Sequence, residues 1–156
     1  MIESKDNLLA EPILGVENVK KYIPQREPMI FVDGLLFLSE KKAISTFIVS
    51  EDSIFVENGE LSEIAFVENA AQTAALFMGV SESLNNEDGE PRQGYIASVD
   101  KIEIFEKGKI GEKLQTELEV VYEVAGMLLI KTETKIDEKL VCSITMKLML
   151  HLDSAQ

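Results

Sequence analysis

Hydrophobic and polar residues alternate with period two through most of the C-terminal part of the chain. Leu114, Leu118, Val120, Tyr122 and Val124 are largely interleaved with Gln115, Glu117, Glu119 and Glu123, which predicts a strand with one buried face. Ala125-Gly126 turns the chain, Leu128, Ile130 and Ile136 begin the next inward face, and Asp137-Glu138 turns it again. The last strand has the clearest pattern. Leu140, Cys142, Ile144, Met146, Leu148, Leu150 and Leu152 share one face, and Ser143, Thr145, Lys147 and His151 the other. Upstream, residues 29–39 and 42–50 are rich in Ile, Phe and Val and predict two strands broken near Glu40-Lys41. Residues 8–22 are weakly helical, and Pro24 and Pro28 interrupt any regular element after them.

The middle of the chain follows another rule. Residues 51–60 form a polar loop containing the turn pair Asn58-Gly59. Ser62 stands where it can cap a helix, and Glu63 suits the positive end of that helix's dipole. The helix runs to about residue 84 and is apolar on nearly every side, so it is expected to be buried. Residues 85–91 read as an exposed loop. One long buried helix followed by consecutive antiparallel strands is an α+β plan, with the sheet packed around the helix. A length of 156 residues is most simply one domain, 1–156, with its core over about 19–150.

One residue does not belong in such a helix. Glu68 sits within the run Ile64-Ala65-Phe66-Val67-Glu68-Asn69-Ala70-Ala71-Gln72, where a carboxylate must be paired, protonated or used. Gln72 lies one turn later on the same face, placed to hydrogen-bond it. A structural carboxylate and a functional one are both compatible with this pattern.

Composition narrows the chemistry. Twenty-eight acidic residues against 15 basic ones give a net charge of −13, a field that repels a phosphate backbone and argues against nucleic acid as a partner. The single cysteine, Cys142, excludes an internal disulfide framework, fits a reducing compartment and belongs to an apolar face, as a small core residue would. The first residues lack the basic start and apolar middle of a signal peptide, and no run is long enough to span a membrane, so a cytoplasmic location is expected. His151 is the only histidine and points away from the core, which leaves little room for Ser-His-Asp or Cys-His chemistry. No Cys/His cluster suggests a metal and no glycine loop suggests a phosphate, so no cofactor is expected.

Three stretches in order carry a resemblance. Ile23-Pro24-Gln25-Arg26-Glu27-Pro28-Met29-Ile30-Phe31-Val32-Asp33 is similar to "LPHRxPFLLVD". Glu68-Asn69-Ala70-Ala71-Gln72 matches "E-x-x-A-Q" on a central helix. Ala97-Ser98-Val99-Asp100-Lys101-Ile102-Glu103-Ile104-Phe105, followed by Ile110-Gly111-Glu112, parallels "xxGIDxxxFxxxVxPGD". Together they resemble the hotdog-fold 3-hydroxyacyl-acyl-carrier-protein dehydratases of the FabZ/FabA type, and more closely their ApeP-like branch. The resemblance implies a hotdog dimer, homotypic or with another hotdog subunit, whose active sites lie at the subunit interface. It implies a pantetheine-linked acyl substrate, on acyl carrier protein or coenzyme A, in fatty-acid or polyene-type lipid biosynthesis. In those dehydratases a loop histidine removes the α-proton, a helix carboxylate handles the β-hydroxyl, and backbone N–H groups at the helix start polarise the carbonyl. Glu68 takes the carboxylate position and Gln72 the supporting amide. Asn58, Gly59, Glu63 and Phe66 are the further residues expected against substrate.

The departures bear on mechanism. The loop lacks the "HFPG" and "PG" elements, Asn58 or Glu57 falls nearest the missing histidine, and Ser62-Glu63 stand where Pro-Gly begins the helix. Gln25 replaces the histidine of the first stretch. Dehydration needs a base at the α-carbon and an acid at the hydroxyl. Two carboxylates can divide that labour, with Glu57 the nearby candidate beside Glu68. Asparagine takes no proton at neutral pH. Two other readings compete: an inactive acyl-thioester-binding or scaffold subunit of a heteromeric dehydratase, and a hotdog thioesterase using Glu68. An acidic carrier docking on this acidic chain would need a local basic patch. Arg92, Lys101, Lys107 and Lys109 are its candidates, with Lys113 beside them and Lys20, Lys21 and Arg26 as a second group.

Overall fold

A computed structural model describes residues 4–85 and 94–150. A 3-10 turn at Ser4–Asp6 precedes β1 (Ile13–Leu14), α1 (Val16–Val19), β2 (Gly34–Leu38) and β3 (Lys42–Ile48). A small hairpin of β4 (Val56–Glu57) and β5 (Glu60–Leu61) leads into the long helix α2 (Glu63–Leu84). Four long strands follow: β6 (Gly94–Ile104), β7 (Lys113–Val124), β8 (Met127–Ile136) and β9 (Lys139–Leu150). The main sheet has the order β1-β2-β3-β7-β8-β9-β6, antiparallel throughout. This is the hotdog arrangement, a curved antiparallel sheet around one central helix.

The helix is the axis of the core because its sequence leaves it no polar face. Ala65, Phe66, Ala70, Ala74, Leu76, Phe77 and Val80 are all buried, and they share one cluster with Phe47, Leu118, Ile130, Ile144 and Met146 of the sheet. Burying a large apolar side chain contributes about 1.5–3 kcal/mol, so this helix is held by packing rather than by its termini. The β9 pattern is realised from Cys142 to Leu150: Cys142, Ile144, Met146, Leu148 and Leu150 are buried, whereas Leu140 is only half-buried beside a buried Val141. Burial pushes the Cys142 thiol up to about 12.

Several local expectations change. Residues 8–22 contain only the one-turn helix α1 and the two-residue strand β1, because Gly15, at φ 91°, breaks the segment between them. Residues 29–33 are not part of a strand, and β2 begins only at Gly34. Ser62 occupies the N-cap position of α2, but its side chain makes no capping hydrogen bond. Its backbone N–H instead donates to the Phe55 carbonyl at 2.7 Å, tying the helix start to the preceding loop. In β7 the inward face ends at Val120, and Tyr122 and Val124 are exposed, because a register shift between Val120 and Tyr122 turns the strand end outward. Asn58 and Gly59, both at positive φ, make the β4–β5 turn, the geometry that favours this residue pair. His151, Leu152, Arg92 and residues 86–91 of the expected loop lie outside the described residues.

Candidate active site

Residues 29–31 cross the helix without a strand partner; the Met29 N–H donates to the Arg26 carbonyl at 2.9 Å, and side chains of the helix satisfy the Met29 carbonyl and both backbone groups of Phe31. Gln72 does most of this. Its Oε1 accepts the Phe31 N–H at 2.6 Å, while its Nε2 donates to the Met29 carbonyl at 2.7 Å and to Glu68 Oε1 at 3.0 Å. Asn69, one helical position beyond Glu68, donates to the Phe31 carbonyl at 2.7 Å and accepts from Thr116 Oγ1 at 2.7 Å. Thr116 shares a further bond of 2.9 Å with Thr134. On the other side, Thr73 donates to the Asn69 carbonyl and pairs with Ser45, each at 2.7 Å. The helix is thus pinned to β3, β7 and the 29–31 segment by a polar network that is almost wholly buried. Such a network, once satisfied, makes one helix rotation far better than its neighbours.

That rotation sets the direction of Glu68. It is half-buried and lines a pocket of about 210 Å³ together with Pro24, Gln25, Ala71, Ala75 and Met78 on one side and Tyr95, Leu148 and Leu150 on the other. The carboxylate is therefore held at one oxygen by an amide and faces a recess walled by alanines, Met78 and two leucines, with Gln25 and Tyr95 as its other polar side chains. Gln25 lines the same recess, and its Oε1 is buried with no hydrogen-bond partner among the described residues. Buried acceptors are ordinarily satisfied, so an unpartnered one beside a carboxylate marks a place where a donor can bind.

The other sequence-predicted residues are distributed. Glu57, Asn58 and Gly59 stand exposed on the β4–β5 hairpin, and none of them lines the Glu68 recess. Glu63 borders a separate concavity with Ile64, Val67, Ile102 and Ile104, between the first turns of α2 and the edge strand β6. Phe66 is fully buried in the core. Lys107 and Lys109 are exposed on the loop after β6, which is bonded to the hairpin through Leu61 N–H to Gly108 O at 2.6 Å and Ile110 N–H to Gly59 O at 3.1 Å. Lys101 is on β6 itself, 3.0 Å from Glu103. In the second basic group, Lys20 pairs with both Glu17 and Glu27, and these contacts raise its pKa and lower that of Glu27. Asp100 is held below the usual carboxylate range by a hydrogen bond from Ser98 and by Lys147.

Sequence reading passed over Asn69, Ala71, Ala75 and Met78. Positions 68, 71, 75 and 78 follow the three-four spacing of one helix face, and two alanines there leave room beside the helix; that signal was present but blurred in a segment apolar all round. Among the described residues no group of histidine, cysteine or carboxylate side chains is arranged to hold a metal, and no helix is long and apolar enough to cross a membrane.

Comparison with known proteins places this geometry in a family. The model of the ApeP-like family, described as ApeP dehydratase, matches residues 17–155. Among curated proteins, the chain is 30% identical over 115 residues to 3-hydroxyacyl-[acyl-carrier-protein] dehydratase FabZ of Halalkalibacterium halodurans, covering 70% of this chain and 79% of that one. It is 24% identical over 136 residues to the FabZ of Coxiella burnetii, covering 83% and 92%. Among solved structures, the dehydratase heterocomplex ApeI:P from Xenorhabdus doucetiae superposes with a TM-score of 0.80 at 16% identity, over 87% of this chain and 92% of that one. A hypothetical thioesterase protein of Streptococcus pneumoniae solved with coenzyme A superposes at 0.55 and 15% identity, over 78% and 87%, which shows the shared fold. A hotdog core of this topology, with Glu68 and Gln72 one turn apart on its helix and the family model matched over nearly the whole chain, makes this protein a member of the ApeP-like dehydratase family.

Proposed function

We propose that the protein holds a 3-hydroxyacyl thioester in the Glu68 recess, that Glu68 serves the β-hydroxyl, and that the base at the α-carbon comes from a second hotdog subunit. The observation that carries the reading is a half-buried carboxylate, oriented by Gln72, in a recess lined largely by Ala71, Ala75, Met78, Leu148 and Leu150. Dehydration removes the α-proton and expels the β-hydroxyl as water. Protonated Glu68 gives its proton to the departing hydroxyl, while a base takes the proton from carbon. The unpartnered Gln25 Oε1 is placed to accept a hydrogen bond from the substrate hydroxyl or a pantetheine amide.

The chain's own candidates for the base are weak. Glu57 stands on the exposed hairpin, outside the recess, and no histidine is among the described residues. The recess is also walled by Gly94, Tyr95 and Ile96 at the start of β6, an edge strand. Tyr95, Val99 and Ile102 on that strand are exposed, at 61%, 40% and 42%. A second subunit added along this edge would stand beside the recess. The structural neighbour ApeI:P is a heterocomplex by its own description. Two copies of a chain carrying −13 would repel each other, which favours a less acidic partner over a second copy. The exposed lysines 107 and 109, beside the β4–β5 hairpin, are the proposed docking point for an acidic carrier; Lys101, bound to Glu103, is a weaker member of that patch.

The test supplies 3-hydroxyacyl and enoyl thioesters on carrier protein to the purified chain, alone and mixed with a histidine-bearing hotdog subunit, and follows interconversion by mass. Turnover only in the mixture, lost with Glu68→Gln in this chain, is the expected result. Full turnover by the chain alone would contradict the need for a partner's base. Release of free thiol would instead make it a thioesterase.

A further inference from the structure

The Glu68 recess does not end against solid core. It shares Met78 and Leu150 with a second concavity of about 620 Å³ at the far end of α2. That concavity has Phe77, Leu84 and Leu128 among its apolar lining and Ser81, Asn85 and Glu123 among its polar lining. Along the helix, Glu68, Ala71, Ala75 and Met78 form one stripe, and the two alanines leave a groove beside the helix. Met78 stands ten positions after Glu68, so at about 1.5 Å per residue the groove is about 15 Å long. Met78 is half-buried, unbranched and flexible, and is the first large side chain of the stripe beyond Glu68.

We propose that Met78 sets the acyl length this protein accepts: a chain anchored at Glu68 runs past Ala71 and Ala75 and stops against the Met78 side chain, which separates the groove from the far concavity. This rests on the reading of the Glu68 recess as the thioester site and adds its length limit. An acyl group that reaches Met78 fills the groove. A longer one must displace the thioether and bring its end among polar groups at the far rim, at a desolvation cost.

The probes are saturated acyl-pantetheine thioesters of graded length, with binding measured by calorimetry on the intact protein. The wild-type affinity is expected to rise with length and then fall steeply at a limit. Met78→Ala removes three heavy atoms from the stop and moves that limit outward by about two to four carbons. Ala75→Leu fills the groove earlier and moves it inward. Adding Ser81→Phe to Met78→Ala narrows the far concavity and draws the limit back, a coupling that independent sites would not show. A wild-type profile without a limit overturns the proposal, and so does an unchanged limit in Met78→Ala. If thermal melting shows that Met78→Ala does not fold, Ala75→Leu decides: a shorter limit supports the gate and an unchanged one overturns it. Failure of the wild type to bind any of these thioesters, or a carrier-linked one, overturns the reading of the recess itself and the gate with it.

Discussion

Gln72 satisfies two backbone groups of the 29–31 segment and orients Glu68 with the same amide. Gln72→Leu should therefore reduce stability by about 1–3 kcal/mol, the cost of leaving the buried Phe31 N–H unpaired, and lower any turnover as well. Urea unfolding and the dehydration assay read the two losses separately. Glu68→Gln should behave differently. It keeps the shape and can still accept from Gln72 at its carbonyl oxygen, so the melting temperature should hardly move, while dehydration in the complete assembly falls by about 100-fold or more. Equal loss of stability in both variants would argue that Glu68 is structural. Cys142 offers an independent check at this scale. Its folded pKa is raised to about 12, so the folded protein keeps a proton that the unfolded chain releases near pH 8.5. Stability from this group is complete below pH 8.5 and falls as pH rises towards 12, by up to about 1.4 kcal/mol per pH unit. Thiol reagents should accordingly label Cys142 only as fast as the protein opens. Rapid labelling of the native protein would contradict its burial.

At the scale of elements, α2 was legible because no proline breaks its long, mostly apolar run, and β9 because its alternation is nearly unbroken. Residues 29–33 were not, since their Ile, Phe and Val content suits a strand equally well. They lie instead across α2, where Gln72 and Asn69 replace the ladder, and no local pattern announces a partner about forty residues away. Ser62 marks the helix start without capping it, because its neighbourhood is organised by the Phe55 carbonyl. The close packing of α2 on the residues after α1 can be tested at Gly79. A Cβ added there would lie 2.1 Å from the Tyr22 carbonyl oxygen. Gly79→Ala should thus destabilise by about 1–3 kcal/mol despite its better helix propensity; a stabilised protein in thermal melting would contradict this packing. On the loop after β6, replacing Lys107 and Lys109 with Glu should weaken carrier-protein binding far more than binding of small pantetheine thioesters. Equal effects on the two would remove these lysines from the docking patch.

For the whole molecule the informative element is β6. It is eleven residues long, forms one edge of the main sheet, and leaves apolar side chains in solvent. Long apolar edges are ordinarily shortened, charged or covered, and two register shifts in its pairing with β9 twist this one without closing it. Ile102→Lys should weaken association with the proposed hotdog partner by about tenfold or more while leaving the fold intact. Analytical ultracentrifugation of the mixture checks it, and an unchanged complex would place the interface elsewhere.

The sequence alone determined the buried helix, the antiparallel strands after it, the family likeness and the Glu68–Gln72 pair. Each of these rests on local periodicity, on residues a few positions apart, or on short motifs in a fixed order, which the chain displays directly. Tertiary structure decided what lies around them. It brought Gln25 and Tyr95 into the recess of the carboxylate, left Glu57 out on its hairpin, and joined two concavities at Met78 and Leu150. Those facts depend on how the sheet curves around the helix and on which long-range hydrogen bonds fix the helix's rotation. Distances of that kind are set by the packing of the whole core, and no run of neighbouring residues encodes them.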